Sequence, residues 1–166
     1  MILLTAFKNT SSEKLIKALR DYDKLFLDND REKSVNQLTS RLDEKTYDLI
    51  LAFGQRPLIK DKIHFESAAK DKEGGQYSTD FDIEKTLKIC REIGITAKRS
   101  DNAGTSYCNN IYYHGMQYIS LNSLKTQMCF VHIPFDKNIS DFDVFVKKIV
   151  FLLNRCNSEL MRKNGA

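Results

Sequence analysis

The sequence predicts an α/β fold: a three-layer α/β/α sandwich on a mixed central sheet, forming a single domain. Three observations carry this expectation. Apolar runs of strand length alternate with one-faced helical patterns along most of the 166 residues. Such alternation places helices on both faces of a sheet. The run Asp48–Gly54 (DLILAFG) is apolar almost without a break, which suits a central strand covered on both sides. No repeat, low-complexity stretch or linker divides the chain, and its length suffices for one domain with a real core.

Met1 to Phe7 is a short apolar run and reads as a buried strand. Thr10 and Glu13 have capping-box spacing; Leu15, Ile16 and Leu19 then recur at helical spacing to about Arg20. Lys24 to Asp28 is a second strand. Arg31 to Glu44 is mostly polar with Val35, Leu38 and Leu42 on one side, the pattern of a surface helix. Gln55 follows the central strand, at the end where ligands bind in α/β sheets. In the next stretch Ile63, Phe65 and Ser67 point one way, and His64, Glu66 and Ala68 the other. Asp71 to Thr79, with Gly74-Gly75, reads as a loop. Asp80 to Ile93 is an amphipathic helix with Ile83, Leu87, Cys90 and Ile93 on one face and Gly94 at its end. Ile95 to Lys98 is a short strand. A turn containing Gly104, a helix carrying Cys108 and a strand from Gln127 to Phe135 follow. Ser140, with Asp143 three residues on, is placed to cap a last helix running to about Met161, and Arg162 to Ala166 read as a frayed tail.

Composition excludes several classes. The charge is +4, from 26 basic and 22 acidic residues mixed along the chain. No basic run interleaves with aromatics, so nucleic-acid binding is not expected. No apolar run approaches membrane-spanning length, and Met1-Ile-Leu-Leu-Thr lacks the charged start of a secretion signal. The expectation is a cytoplasmic protein. Cys90, Cys108, Cys129 and Cys156 show no C-x-x-C spacing and read as reduced thiols. His64, His114 and His132 lack metal-ligand spacing, and there is no glycine-rich phosphate loop. Neither metal nor nucleotide cofactor is expected, and His114 reads as structural or surface.

Chemistry concentrates between Ser100 and Phe135. Backbone N–H groups at a helix start are unpaired and the dipole is positive there, so a thiol at Cys108 is expected to ionise more easily. His132, 24 residues later on the returning strand, is placed to act as its base at one edge of the sheet. The plain alternatives are a small buried hydrophobe for Cys108, a satisfied core histidine for His132 and a solvated strand charge for Glu66. The polar flanks Ser106, Asn109 and Asn110 set Cys108 apart from a core position.

Several stretches resemble pyroglutamyl peptidase type I, also called pyrrolidone-carboxylate peptidase. Asp101-Asn102-Ala103-Gly104-Thr105-Ser106-Tyr107-Cys108-Asn109 resembles the family's N-T-A-G-T-[FY]-[VL]-C-N turn. Phe130-Val131-His132-Ile133-Pro134 resembles its F-[IV]-H-[IV]-P strand. Gly54-Gln55, then Phe65-Glu66-Ser67-Ala68-Ala69-Lys70-Asp71, resemble its G-Q and V-E-R-x-A-x-N motifs. The likeness runs well from Tyr47 to Phe135 and weakly before that. It implies a cysteine exopeptidase that removes an N-terminal pyroglutamyl group from a peptide or small blocked amide. Cys108 would be the nucleophile, His132 the general base and acid, and Glu66 the carboxylate orienting the imidazole. It also implies a dimer or tetramer and no cofactor.

The chain departs from the family where the substrate ring would sit. The family's G-F-E-P-F-G-G loop is here Ala6-Phe7-Lys8-Asn9-Thr10-Ser11-Ser12, which keeps the first phenylalanine and has Thr10 for the second. Ser106 replaces an apolar residue beside the nucleophile. Ser67, Lys70 and Lys72 stand where the family carries arginines. Phe7, Thr10, Gln55, Ser106 and Tyr107 are the candidate substrate contacts. The alternative function is a non-catalytic descendant that keeps the fold as a ligand-binding or assembly module.

Overall fold

A computed structural model describes residues 1–164. A six-stranded sheet is its middle layer, in the order β2-β1-β3-β8-β4-β7. These strands are β1 (Ile2–Phe7), β2 (Asp23–Leu27), β3 (Leu49–Arg56), β4 (Lys62–Glu66), β7 (Thr96–Ser100) and β8 (Gln127–Pro134). Pairing is parallel except between β4 and β8, which run antiparallel. The sheet is therefore mixed, as the strand-helix alternation implies. Parallel neighbours require crossovers, and α1 (Ser11–Ala18), α2 (Arg31–Glu44), α3 (Ile83–Glu92) and α4 (Tyr107–Leu121) supply them, with α5 (Phe142–Asn164) closing the chain.

Strand residues alternate between two cores. Leu49, Leu51, Phe53, Cys129, Val131 and Ile133 pack with α1, α3 and α5. Ile50, Ala52, Met128 and Phe130 pack with α2 and α4. β1, β3 and β8 are buried on both faces over nearly their whole length, which explains their unbroken apolar character.

Local chemistry sets the boundaries. Thr10 caps α1 by accepting from the Glu13 backbone N–H (3.2 Å), while Glu13 reaches back to the Asn9 N–H (2.7 Å). Asp30 and Asp82 cap α2 and α3 in the same way. Gly94 ends α3 at φ +70°, where a Cβ would be strained.

Three expectations need correction. Asp71–Thr79 is not a simple loop: β5 (Ala68–Lys70) and β6 (Gln76–Ser78) form an antiparallel hairpin. The short polar strand Gln76–Ser78 gives no hydrophobic run to detect. α5 is capped by Asp141, which accepts from the Val144 N–H at 2.9 Å, whereas Ser140 bonds Asp61. The helix also continues past Met161 to Asn164. The rest of the expected tail, Gly165 and Ala166, lies outside the described residues.

Candidate active site

The site forms where one row of the sheet meets the start of α4. Across the sheet, Gly54 of β3 is level with His132 of β8, and His132 with His64 of β4. All three positions face the α2/α4 side. Neighbouring strands lie about 4.8 Å apart, so these groups are close neighbours. The row crosses central strands near the carboxyl ends of β3 and β8. Gly54 and His132 thus lie near the middle of the strand order, because β8 sits between β3 and β4.

Cys108 is the second residue of α4 after its N-cap Ser106. A Cβ placed on Gly54 would lie 2.7 Å from Cys108 Sγ and 2.6 Å from a Phe130 ring atom. Gly54 thus lacks a side chain where the sulfur comes down on the sheet. The thiol does not ionise easily, contrary to the helix-start expectation. Burial pushes it up to about 11; hydrogen bonds from the Ser106 hydroxyl and its own backbone N–H lower it but do not offset this. Desolvation of the thiolate outweighs the partial charge of the helix end.

His132 is buried, and its Nδ1 lies 2.7 Å from Glu66 Oε1. Glu66 is wholly buried. Its backbone carbonyl accepts from Tyr112 of α4 at 2.9 Å, which ties β4 to the helix bearing Cys108. The solvated-charge alternative for Glu66 is excluded. Arg56, at the end of β3, also reaches Glu66 Oε1 (3.2 Å) and donates to the Asn102 carbonyl (3.0 Å). Sequence reading passed over Arg56; its signal is its place two residues beyond Gly54 on the central strand. It supplies a cation beside the buried carboxylate.

The turn before α4 is held from two sides. Arg56 grips the Asn102 carbonyl, and Arg31 donates to the Thr105 carbonyl at 3.0 Å. Asn102 Oδ1 accepts from the Gly104 N–H at 3.0 Å, and Gly104 adopts φ +83°. Asn109 clamps Lys70 of the β5–β6 hairpin through the N–H (3.1 Å) and the carbonyl (2.6 Å). These contacts, with Asn110 donating to the Arg31 carbonyl at 3.2 Å, occupy the asparagines around Cys108.

The proposed substrate contacts divide into two groups. Phe7 and Tyr107 meet with ring centroids 5.9 Å apart, and the Arg31 guanidinium lies 5.9 Å from the Tyr107 ring. Tyr107 is exposed and stands next to Cys108. Ser106 bonds the thiol. Thr10 and Gln55 are engaged elsewhere: Thr10 caps α1 and donates to the Phe7 carbonyl (2.6 Å), while Gln55 Oε1 accepts from the Ser11 N–H and hydroxyl. His114 lies partly buried on α4, 3.1 Å from Gln117 Oε1. Among the described residues, no group of His, Cys, Asp or Glu could hold a metal ion, and no helix is long and apolar enough to cross a membrane.

A family model for pyroglutamyl peptidase matches residues 59–146, just over half of the chain. The pyrrolidone-carboxylate peptidase of Bacillus cytotoxicus is 32% identical over 123 residues, covering 62% of this chain and 57% of that protein. The Brevibacillus brevis protein of the same name is 25% identical over 124 residues, covering 63% of this chain and 58% of its own length. The chain thus spans a little over half the length of these curated relatives. The crystal structure of pyrrolidone carboxyl peptidase from Fervidobacterium islandicum superposes with a TM-score of 0.82 at 21% identity, over 95% of this chain and 98% of that one. At that identity the likeness speaks for the fold. By its family match, over a region that includes Glu66, Cys108 and His132, the chain belongs to the pyroglutamyl peptidase family.

Proposed function

We propose that the protein hydrolyses the amide bond after an N-terminal pyroglutamyl or related blocked residue. The observation that carries this is the buried Glu66–His132 pair at 2.7 Å, one strand away from the glycine over which Cys108 Sγ sits. With Nδ1 donating to Glu66, His132 Nε2 is left to accept a proton. A thiol held near 11 is roughly one part in ten thousand ionised at neutral pH. Cys108 therefore attacks as His132 removes its proton, rather than as a standing thiolate.

Sγ adds to the substrate carbonyl, and the developing oxyanion lies toward the N–H groups of the α4 start. His132 gives its proton to the leaving amine and the C–N bond breaks, leaving a thioester on Cys108. Water, deprotonated by His132, then attacks the thioester, releasing the free acid and restoring the thiol. Glu66 holds the imidazole tautomer and stabilises the imidazolium. Phe7 and Tyr107 offer aromatic faces to a flat lactam. Thr10 in place of the second phenylalanine removes one stacking surface, worth roughly 0.5–1.5 kcal/mol, so binding is expected to be up to about tenfold weaker than in relatives that keep that loop.

The test is cleavage of a pyroglutamyl fluorogenic amide by the purified protein, beside Cys108→Ala. Turnover that vanishes in the variant supports the reading. No turnover, or turnover that persists in Cys108→Ala, overturns it in favour of a binding module.

A further inference from the structure

His64 lies beside the pair just described, with no hydrogen bond to it. Its Cα is level with His132 on one side and with Lys98 on the other, so its ring projects to the same face as His132 and Glu66. The residue is only 5% exposed, and neither Nδ1 nor Nε2 has a hydrogen-bond partner among the described residues. Buried polar atoms are rarely left so. Glu66, two residues along the same strand face, has the matching deficiency: Oε1 takes both His132 and Arg56, while buried Oε2 has no partner. Alternate residues of one strand stand roughly 7 Å apart. That spacing is short enough for the two side chains to meet if the His64 ring turns about its side-chain bonds.

The groups facing His64 are Glu66 and Lys62 on β4, His132 on β8, Lys98 on β7 and Arg56 on β3. Burial, helped by the Lys98 and Arg56 cations, pushes its imidazole down to about 4. The ring is thus neutral near pH 7 and keeps one donor and one acceptor. A neutral donor suits a carboxylate that already faces Arg56 and His132.

We propose that His64 is a second positioning residue, its ring N–H bonding Glu66 Oε2 so that the carboxylate is held at both oxygens and stays aimed at His132. The idea rests on the catalytic reading of Cys108, His132 and Glu66. His64 touches no substrate and moves no proton; it acts through the carboxylate.

Two measurements test it. The first compares kcat and KM on a pyroglutamyl amide for wild type, His64→Phe and His64→Asn. Phenylalanine fills the space without a donor, and kcat should fall about tenfold with KM little changed. Asparagine restores a donor and should recover most of the loss. The second needs no substrate. Proton NMR of the ring N–H groups should show a downfield His64 signal, absent in His64→Asn and shifted upfield in Glu66→Gln, as a bond to a carboxylate requires. Wild-type kcat in His64→Phe, or no such signal in the wild type, overturns the proposal. If the wild type cleaves no pyroglutamyl amide, the activity reading fails on its own, and the signal still decides whether His64 and Glu66 are bonded. If His64→Phe does not fold, His64→Asn and the signal carry the test.

Discussion

Gly54 shows how one residue shapes the site. Its missing side chain is the space into which Cys108 Sγ and the Phe130 ring fit. Gly54→Ala should force the buried Phe130 ring and the sulfur to shift. Overpacking of this kind costs about 1–3 kcal/mol, and the moved sulfur should lower turnover at least tenfold. A thermal melt beside a kinetic assay separates the two effects. Cys108 itself should be the first thiol alkylated by limiting iodoacetamide. Burial raises all four thiols, but Cys90 and Cys156 reach about 12 and Cys129 goes well above its usual value, while Cys108 stands at about 11 and is the least buried. The pH profile carries the sign. In His132→Ala the thiol must ionise unaided, so alkylation should climb about tenfold per pH unit through pH 9, still below the thiol's own value. In the wild type, where His132 takes the proton, alkylation at neutral pH should be faster than in the variant. Preferential labelling of another cysteine, or identical profiles in the two proteins, would remove Cys108 and His132 from their roles.

At the scale of the element, the start of α1 shows a cost of rebuilding the loop before it. Thr10→Phe restores the family's second aromatic in sequence. The Thr10 hydroxyl, however, both caps the helix and bonds the Phe7 carbonyl. Loss of the cap should cost about 0.5–2 kcal/mol, a fall in Tm of roughly 2–4 °C per kcal/mol for a chain of this size. Differential scanning calorimetry reads this directly; an unchanged Tm would show that the cap contributes nothing. Helix α4 has a similar constraint at Gly115, where a Cβ would lie 2.8 Å from Met128 Sδ and 3.0 Å from a Leu38 methyl. That close approach lets α4 lie against both α2 and the sheet, and so aims its first turn at Gly54.

For the whole molecule, the two cores share one sheet, so they should unfold together. Cys90, Cys129 and Cys156 all lie in the core under α3 and α5, and their buried thiols report its opening. In rising urea these three should react with a thiol reagent in one step, coincident with loss of helix signal. Two separate steps would show that the single-domain reading fails.

Much of this was legible along the chain because it rests on local chemistry. Unbroken apolar runs marked β1, β3 and β8, since those strands are buried on both faces. The Thr10–Glu13 spacing marked the start of α1, and the Cys108 and His132 motifs, read by resemblance, marked the candidate site. The β5–β6 hairpin escaped because three polar residues pair by backbone bonds that leave no side-chain pattern. The Asp141 cap escaped because Ser140 has the same capping chemistry, and only tertiary contact sends Ser140 to Asp61 instead. Arg56, His64 and the raised thiol belong wholly to the tertiary structure. Which cation reaches Glu66, which imidazole is left without a partner, and how far burial opposes the helix dipole at Cys108 all depend on neighbours brought together by sheet order. Sequence by itself determined the layers, the periodicity and the chemically able residues; folding decided their solvation and their partners, because both are set by groups distant along the chain.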